Sequence, residues 1–209
     1  MTIKSIAETS YRGMYKVQPE EGSAFFVRQD YLPSVCVNGL EPGHELDEAQ
    51  TDEMLDAGLA AAVELKAVEY LARAEQSRFG LTRKLCEKKY ERKYVDMALD
   101  FLERAGYLSD ARFARAWLNT RRTNHYEGRS RLLAELQSRG ISRDVSQAAV
   151  DSFFEENDED EICRKAYEKL SKKKSGDKLA AAMMQAGFTF KQIRAAEEGF
   201  AETNTCTGQ

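Results

Sequence analysis

The sequence predicts a mainly α-helical protein in which tandem three-helix repeats form an elongated, curved array behind a small N-terminal β-hairpin lobe. The 209 residues include only three prolines, and this scarcity favours long uninterrupted helices. Apolar side chains recur at helical spacing from about residue 52 to residue 200, as they do at Val95, Ala98, Leu99 and Leu102.

The first fifty residues predict a β-rich extension rather than a helix. The runs 14–17 and 24–27 are rich in β-forming residues, and they flank a polar connector that contains Pro19 and Gly22. This arrangement is typical of an antiparallel hairpin, to which residues 3–7 can add a third strand. Because an isolated hairpin is only marginally stable, we expect this lobe to pack against the helical region next to it in the chain.

The helical region repeats itself. At an offset of 47 residues, a second set of landmarks matches the first: Leu136, Gly140 and Phe153 against Met183, Gly187 and Phe200. A similar skeleton occurs about 50 residues earlier, and three copies indicate a helical repeat array. The predicted divisions are an extension at 1–50, repeats at 51–108, 109–157 and 158–202, and a tail at 203–209.

The acidic run 155–161 separates the second and third repeats. It has no glycine at the sixth position and no regular spacing of oxygen ligands, so it does not fit a calcium-binding loop. We interpret it as a linker whose acids favour the N-terminus of the next helix.

Charge is distributed unevenly along the chain. The net charge is −4, but residues 1–65 hold 4 Lys and Arg against 12 Asp and Glu, whereas residues 66–143 hold 18 against 10. A basic centre in an acidic protein indicates contact with a polyanion. A helical surface covered by internal salt bridges explains the same numbers equally well.

The sequence lacks the motifs of several enzyme and cofactor-binding classes. The chain has no phosphate-binding or dinucleotide-binding glycine motif, no nucleophile elbow and no zinc-protease motif, so we expect neither an enzyme nor a cofactor or metal. The four cysteines are widely spaced and are expected to be reduced and mostly structural. No apolar run is long enough for a membrane span or a signal peptide. We therefore expect a cytoplasmic protein. We also expect a monomer.

The candidate binding residues are the cations of the first two repeats, interleaved with aromatic residues that can stack on unpaired bases. They are Arg73, Arg78, Arg83, Lys84, Lys88, Lys89, Arg112, Arg115, Arg121, Arg122, Arg129 and Arg131. The polar connection 121–129 also leads into a helix N-terminus suited to anions. Each single arginine can instead form a salt bridge with a neighbouring acid.

Three segments resemble the RecX family. Residues 71–85, 98–115 and 128–141 are similar to its first-repeat, central and second-repeat signatures. The likeness spans roughly residues 60–200, and the central segment, which reads ALDFLERAGYLSDARFAR, is the most specific. The hairpin before Gly43 also resembles an N-terminal extension that some members carry.

The resemblance implies a regulator of the RecA recombinase. Family members bind RecA filaments on single-stranded DNA, damp ATP hydrolysis, strand exchange and co-protease activity, and need no cofactor. We also expect weak binding to naked DNA, single-stranded or duplex. The resemblance further implies that Tyr107 and Phe113 are packing residues and that Asp110 caps its helix.

Two rival interpretations remain. Residues 132–150 can form a helix-turn-helix of a DNA-binding transcriptional regulator, although the second helix carries few long side chains that could read bases. A structural scaffold would not depend on nucleic acid at all. From the charge distribution we expect that Arg121→Glu combined with Arg122→Glu weakens inhibition of the recombinase filament.

Overall fold

The computed structural model describes residues 1–122 and 125–206, with side chains described as far as residue 200. The chain divides into two compact units, Met1–Ser109 and Asp110–Gln209. The first unit contains strands β1 (Ile3–Glu8), β2 (Met14–Pro19) and β3 (Phe25–Arg28), followed by helices α1 (Glu48–Leu71), α2 (Arg78–Glu87) and α3 (Arg92–Arg104).

The three strands form an antiparallel sheet in the order β1-β2-β3. Val17 of β2 pairs with Ile6 on one side and with Phe25 on the other. The predicted hairpin and its third strand are therefore confirmed. The sheet packs against α1, where Gly58 lies so close to the Phe25 ring that a side chain there would overlap it.

Helix α1 joins the lobe to the two helices after it. Its N-terminus is fixed by a capping box in which Asp47 and Gln50 exchange hydrogen bonds. Met54 in its first half belongs to the core under the sheet, and Ala67 in its second half belongs to the core with α2 and α3. The predicted boundary at residue 50 therefore lies at the first turn of a helix shared by both cores.

In the described residues of the second unit, all regular secondary structure is helical. Its helices are α4 (Asp110–Arg121), α5 (Arg129–Ser138), α6 (Arg143–Glu156), α7 (Glu159–Ser171), α8 (Gly176–Gln185) and α9 (Phe190–Cys206). We call α1–α3, α4–α6 and α7–α9 the first, second and third triads. One core cluster lies within the second triad around Leu132 and Leu136, and another lies within the third around Leu179 and Met183. The division into separate repeat domains stays a prediction.

The middle helices α2, α5 and α8 show the repeat most directly, because each has ten residues. The turn after α5 contains Gly140 and the turn after α8 contains Gly187, both with positive φ, 81° and 97°. Glycine adopts that conformation without a steric penalty, so it ends a helix readily. The predicted positions of these two helix ends are confirmed.

Two predicted boundaries differ from the structure. Most of the acidic run 155–161 is helical, and only Asn157 and Asp158 separate α6 from α7. The Asp158 carboxylate accepts hydrogen bonds from the backbone N–H groups of Asp160 and Glu161, so the separator is a tight cap. At the other end, α9 continues to Cys206 into the predicted tail, and residues 207–209 lie outside the described part of the chain.

Candidate polyanion-binding surface

Arg78, the first residue of α2, is held by the acids of α3. Its guanidinium donates to Asp100 at 2.6 Å and to Glu103 at 2.5 Å, and lies 3.8 Å from Asp96. Burial by itself would lower the pKa of Arg78, but the hydrogen bonds to these carboxylates outweigh it and raise the pKa. Arg78 therefore connects two helices of the first triad.

The remaining cations of α2 and of the turn after it differ in their contacts. Lys84 donates to Gln76 at 2.7 Å, and its ammonium group lies 5.5 Å from the centre of the Tyr70 ring. Arg83, by contrast, is exposed and only loosely paired with Glu87 at 3.7 Å. Lys88 and Lys89 are exposed at the end of the helix, and Arg73 is exposed before it. We call Arg83, Lys88 and Lys89 the α2 cations.

Lys89 has an unusual backbone conformation. Its φ is 66°, and it is the sole non-glycine residue of the described chain with a positive φ. A left-handed conformation costs an L-residue about 1–2 kcal/mol, and glycine is the common choice at this position of a helix end. The chain therefore keeps an exposed lysine at a position where glycine would be less strained.

In the second triad, Arg129 has the role that Arg78 has in the first. It donates to Asp151 of α6 at 2.5 Å and to Glu159 of α7 at 2.8 Å, and its guanidinium lies 4.6 Å from the Phe154 ring centre. The candidate Arg129 therefore connects α5 to the helices on either side of the α6–α7 junction.

Arg121 and Arg131 are also paired with acids. Arg121 Nε lies 3.2 Å from Glu127 Oε2, in an ion pair that lacks the alignment of a hydrogen bond. The Arg121 guanidinium lies 5.0 Å from the Trp117 ring centre, so its apolar face is covered too. Arg131 contacts Glu135 at 2.6 Å. For these two candidates the structure matches the salt-bridge alternative.

Besides Arg131, the exposed candidates of the second unit are Arg112, Arg115 and Arg122. Arg112 and Arg115 lie one turn apart on α4, and Arg122 comes directly after the end of that helix. Thr123 and Asn124, in the middle of the predicted polar connection, lie outside the described residues.

The chain itself fills the N-terminus of α5, where the sequence suggested an anion site. The Gly128 N–H donates to the Ala186 carbonyl at 2.8 Å, and the Ser130 hydroxyl donates to the Gly187 carbonyl at 3.0 Å. Two carbonyl oxygens from the α8–α9 turn therefore lie where an anion would have to bind.

The aromatic residues among the cations are mostly structural. Tyr90 and Tyr94 pack against the core of the first triad, and Tyr126 packs against that of the third. Phe79 is exposed at the start of α2 and remains the best candidate for stacking. The expectation that Tyr107 is a packing residue is wrong, since its side chain is 63% exposed.

Phe113 and Asp110, the other residues interpreted from the resemblance, lie on α4. Phe113 is half-buried and packs against the core of the second triad, as expected. Asp110 is the first residue of α4, where its negative charge favours the helix N-terminus.

The sequence analysis did not single out the exposed lysines Lys172, Lys173 and Lys174, in the turn between α7 and α8. The signal was visible as an uninterrupted basic run. It lies in an acidic part of the chain, outside the basic centre.

Other kinds of site find little support in the described residues. Within them, no group of three or more His, Cys, Asp and Glu side chains is arranged to hold a metal ion, and no helix is both long and apolar enough to span a membrane. Cys163 is buried, which raises its pKa to about 11, and it fits a structural role. Cys36 and Cys86 are exposed and do not fit that role.

Known proteins match this chain in sequence and in fold. A family model described as RecX, second three-helix domain, matches residues 109–150, which hold the second triad up to the middle of α6. The regulatory protein RecX of Treponema pallidum (strain Nichols) is 38% identical over 130 residues, covering 60% of this chain and 79% of that protein. This chain belongs to the RecX family.

Further RecX proteins extend the match. The regulatory protein RecX of Clostridioides difficile (strain 630) is 25% identical over 161 residues, covering 74% of this chain and 76% of that protein. A crystal structure of regulatory protein RecX has a TM-score of 0.74 at 20% identity, over 94% of this chain and 98% of that one. RecX from Lactobacillus salivarius has a TM-score of 0.59 at 17% identity, over 68% of this chain and 96% of that one. The RecX helical-repeat fold is thus confirmed.

Proposed function

We propose that this RecX-family protein regulates a RecA-type recombinase by binding its filaments on single-stranded DNA. It mainly inhibits ATP hydrolysis, strand exchange and co-protease activity. It acts in the cytoplasm as a monomer without a cofactor, and it binds naked single-stranded or duplex DNA only weakly. The observation that carries this proposal is the match to regulatory RecX proteins over 79% of the length of one relative.

The exposed cations supply the attraction to the nucleoprotein filament. The α2 cations and Arg73 of the first unit, with Arg112, Arg115 and Arg122 of the second, are the candidates for contact with phosphates or acidic protein surface. Arg78 and Arg129 have a different task, because their ion pairs hold α2 to α3 and hold α5 to α6 and α7.

Several weak contacts on one chain explain how such a protein can bind a filament firmly. Each cationic group by itself neutralises few charges. Once one group has bound, the next is held near its own target at a high effective concentration. The acidic first 65 residues oppose indiscriminate binding to DNA, so the filament is favoured over naked strands.

The deciding experiment measures DNA-dependent ATP hydrolysis by RecA with and without the full-length protein. We expect inhibition by the wild type and at least about fivefold weaker inhibition by the double variant Arg83→Glu, Lys88→Glu, because two exposed contacts become repulsive. The matched control is Lys4→Glu with Lys16→Glu, which makes the same change of charge on exposed lysines of the N-terminal lobe.

The outcomes separate the interpretations. No effect of the wild-type protein on RecA would overturn the proposed function. Equal losses in both double variants would show that overall charge, and not the α2 cations, determines binding. Preference for one duplex sequence over random DNA would support the transcriptional regulator instead.

A further inference from the structure

The first unit contains a cavity that the cationic surface does not use. It lies where the β1–β2 connection meets α1 and the end of α3, and its volume is about 470 Å³. That volume is within the range of sites that enclose a small ligand or a large side chain. Leu65 and Val68 of α1 and Ala105 at the end of α3 form its apolar walls.

The floor of the cavity is an ion pair with almost no access to solvent. Arg28 is 7% exposed and Glu64 is 3% exposed. Arg28 donates through Nε to Glu64 at 2.7 Å and through Nη2 to the other Glu64 oxygen, and the Tyr31 hydroxyl donates to the same carboxylate at 2.9 Å. The guanidinium lies 4.0 Å from the centre of the Phe101 ring.

Stability alone does not explain this pair. A buried ion pair is costly to desolvate, and apolar residues of similar volume often stabilise a core equally well. Arg28 also donates through Nη1 to the Arg12 carbonyl at 3.0 Å. Three of its five N–H groups are thereby used, and the guanidinium keeps donors for a carbonyl group that enters the cavity.

Two tyrosines flank the mouth of the cavity. Tyr11 in the β1–β2 connection is 60% exposed, and Tyr107 after α3 is 63% exposed. Exposed aromatic rings beside an apolar cavity are typical of the centre of a protein–protein interface, where they exclude water from an inserted side chain.

Charge decides between the possible occupants. The charged residues that line the cavity, Arg12, Arg28, Asp30 and Glu64, sum to zero, and the first 65 residues carry 12 Asp and Glu against 4 Lys and Arg. A nucleic acid strand would be repelled by this lobe, whereas a protein surface with a basic residue beside an apolar one is complementary to it.

We propose that this cavity binds a large apolar or aromatic side chain, presented next to a basic residue, from the surface of a protein partner. The inference rests on the proposed function, in which that partner is the recombinase of the filament. The inserted side chain packs between Tyr11 and Tyr107, and the carbonyl of its own or a neighbouring residue accepts a hydrogen bond from Arg28.

The test measures equilibrium binding of the full-length protein to RecA filaments assembled on a single-stranded oligonucleotide. Tyr11→Ala removes one rim ring, and Ala105→Trp is designed to fill the cavity from the exposed end of α3. We expect each variant to bind the filament about tenfold or more weakly, as for the loss of an anchor at an interface centre. Binding to the naked oligonucleotide should stay unchanged.

The matched control is Phe26→Ala, which removes an exposed aromatic ring of β3 that does not line the cavity. It should change filament binding by less than about twofold, the range of interface residues that carry little energy. Circular dichroism and the melting temperature verify that each variant folds.

The possible failures are distinguishable. If wild type and both cavity variants bind the filament equally, the cavity proposal is overturned and the proposed function stands. If the wild type does not bind the filament, both are overturned. If Tyr11→Ala weakens binding to the naked oligonucleotide, the cavity holds a base and the assignment to a protein partner is overturned.

Discussion

The middle helices α2 and α5 have the same length but differ in how far their positive side chains are paired with acids. Each has ten residues and begins with an arginine, Arg78 or Arg129. Each arginine pairs with the ninth residue of the third helix of its own triad, Asp100 in α3 and Asp151 in α6. The arginine–aspartate pair is therefore a repeated structural element of the first two triads.

The difference lies in the rest of the two helices. The seventh residue is Lys84 in α2 and Glu135 in α5. Glu135 pairs with Arg131 and with Arg139 just after the helix, both at 2.6 Å, and Arg129 pairs with Asp151 and Glu159, so every arginine of α5 has an acid partner. In α2, Arg83 is exposed and only loosely paired with Glu87, so its charge stays available at the surface. Helices with two arginines each can therefore use both for internal pairing, as α5 does, or leave one for external contact, as α2 does.

The largest expected effect concerns the residue before each middle helix. Ser77 caps α2 through a 3.0 Å hydrogen bond from the Gly80 N–H, whereas a side chain at Gly128 would lie 2.6 Å from the Gly187 carbonyl carbon. We expect Gly128→Ser to destabilise the second unit by about 3 kcal/mol, because backbone must move to relieve the overlap. Ser77→Gly should cost under about 1 kcal/mol. Calorimetric unfolding of both variants checks the difference.

Equal costs for these two substitutions would contradict this explanation. They would mean that the α8–α9 turn can move away from α5 without destabilising the protein. The close approach of the two elements would then not require a glycine at Gly128.

The next effect concerns the arginine pairs. Arg129→Met should destabilise the protein by about 1–2 kcal/mol, because it removes two charge-assisted hydrogen bonds that join three helices. Arg78→Met should cost about 1 kcal/mol, since Asp96, Asp100 and Glu103 lie on one helix, α3, and are partly exposed. Urea denaturation measures both.

Arg83→Met is the control. It should leave stability unchanged and weaken filament binding. Lower stability with unchanged filament binding would refute the division into pairing and contact residues.

A smaller effect is expected at Lys89, where one substitution should change stability and binding in opposite directions. Lys89→Gly removes the strain of a left-handed lysine, so we expect a stabilisation of about 1 kcal/mol. The same change removes an exposed charge and should weaken inhibition of the recombinase. A stabilised variant with full inhibition would exclude Lys89 from the contact surface.

The smallest effect is a pH dependence specific to α5. The hydrogen bond from Arg139 and the charge of Arg131 lower the pKa of Glu135. A carboxylate with a lowered pKa in the folded state stabilises the protein above its unfolded pKa of about 4.3, and this contribution is lost as the pH falls through the folded value. Glu135→Gln should cost about 0.5 kcal/mol at pH 7 and less in acid. Melting temperatures between pH 3 and pH 7 test this, and a constant difference would contradict it.

Much of the fold was predictable because local signals and packing agree. The offset of 47 residues predicted equivalent positions at Leu136 and Met183, and both are completely buried in the cores of their triads. The hairpin was predictable from the β-forming runs around Pro19 and Gly22. The short α6–α7 connection was not, because the acids of residues 155–161 are compatible both with a linker and with helix ends, and only the cap at Asp158 distinguishes them.

The candidate site was predictable as a set of cations but not residue by residue. Arg121 and Arg122 are adjacent and indistinguishable in sequence, yet Arg121 is paired with Glu127 and stacked on Trp117, whereas Arg122 is exposed. Arg121→Glu would place a carboxylate against Glu127 and would test folding together with binding. Arg122→Glu alone is therefore the better test of the surface.

The sequence by itself determined the periodic helices, the N-terminal hairpin and the uneven charge, because all three depend on residues close together in the chain. Only the tertiary structure decided which arginines are neutralised, since Arg78 and Arg129 donate hydrogen bonds to Asp100 and Asp151, each 22 residues away. It also decided that Gly128 must lack a side chain, and it placed Arg28 and Glu64 beneath two tyrosines. Such contacts depend on how helices and strands pack, and no local pattern of charge or hydropathy encodes them.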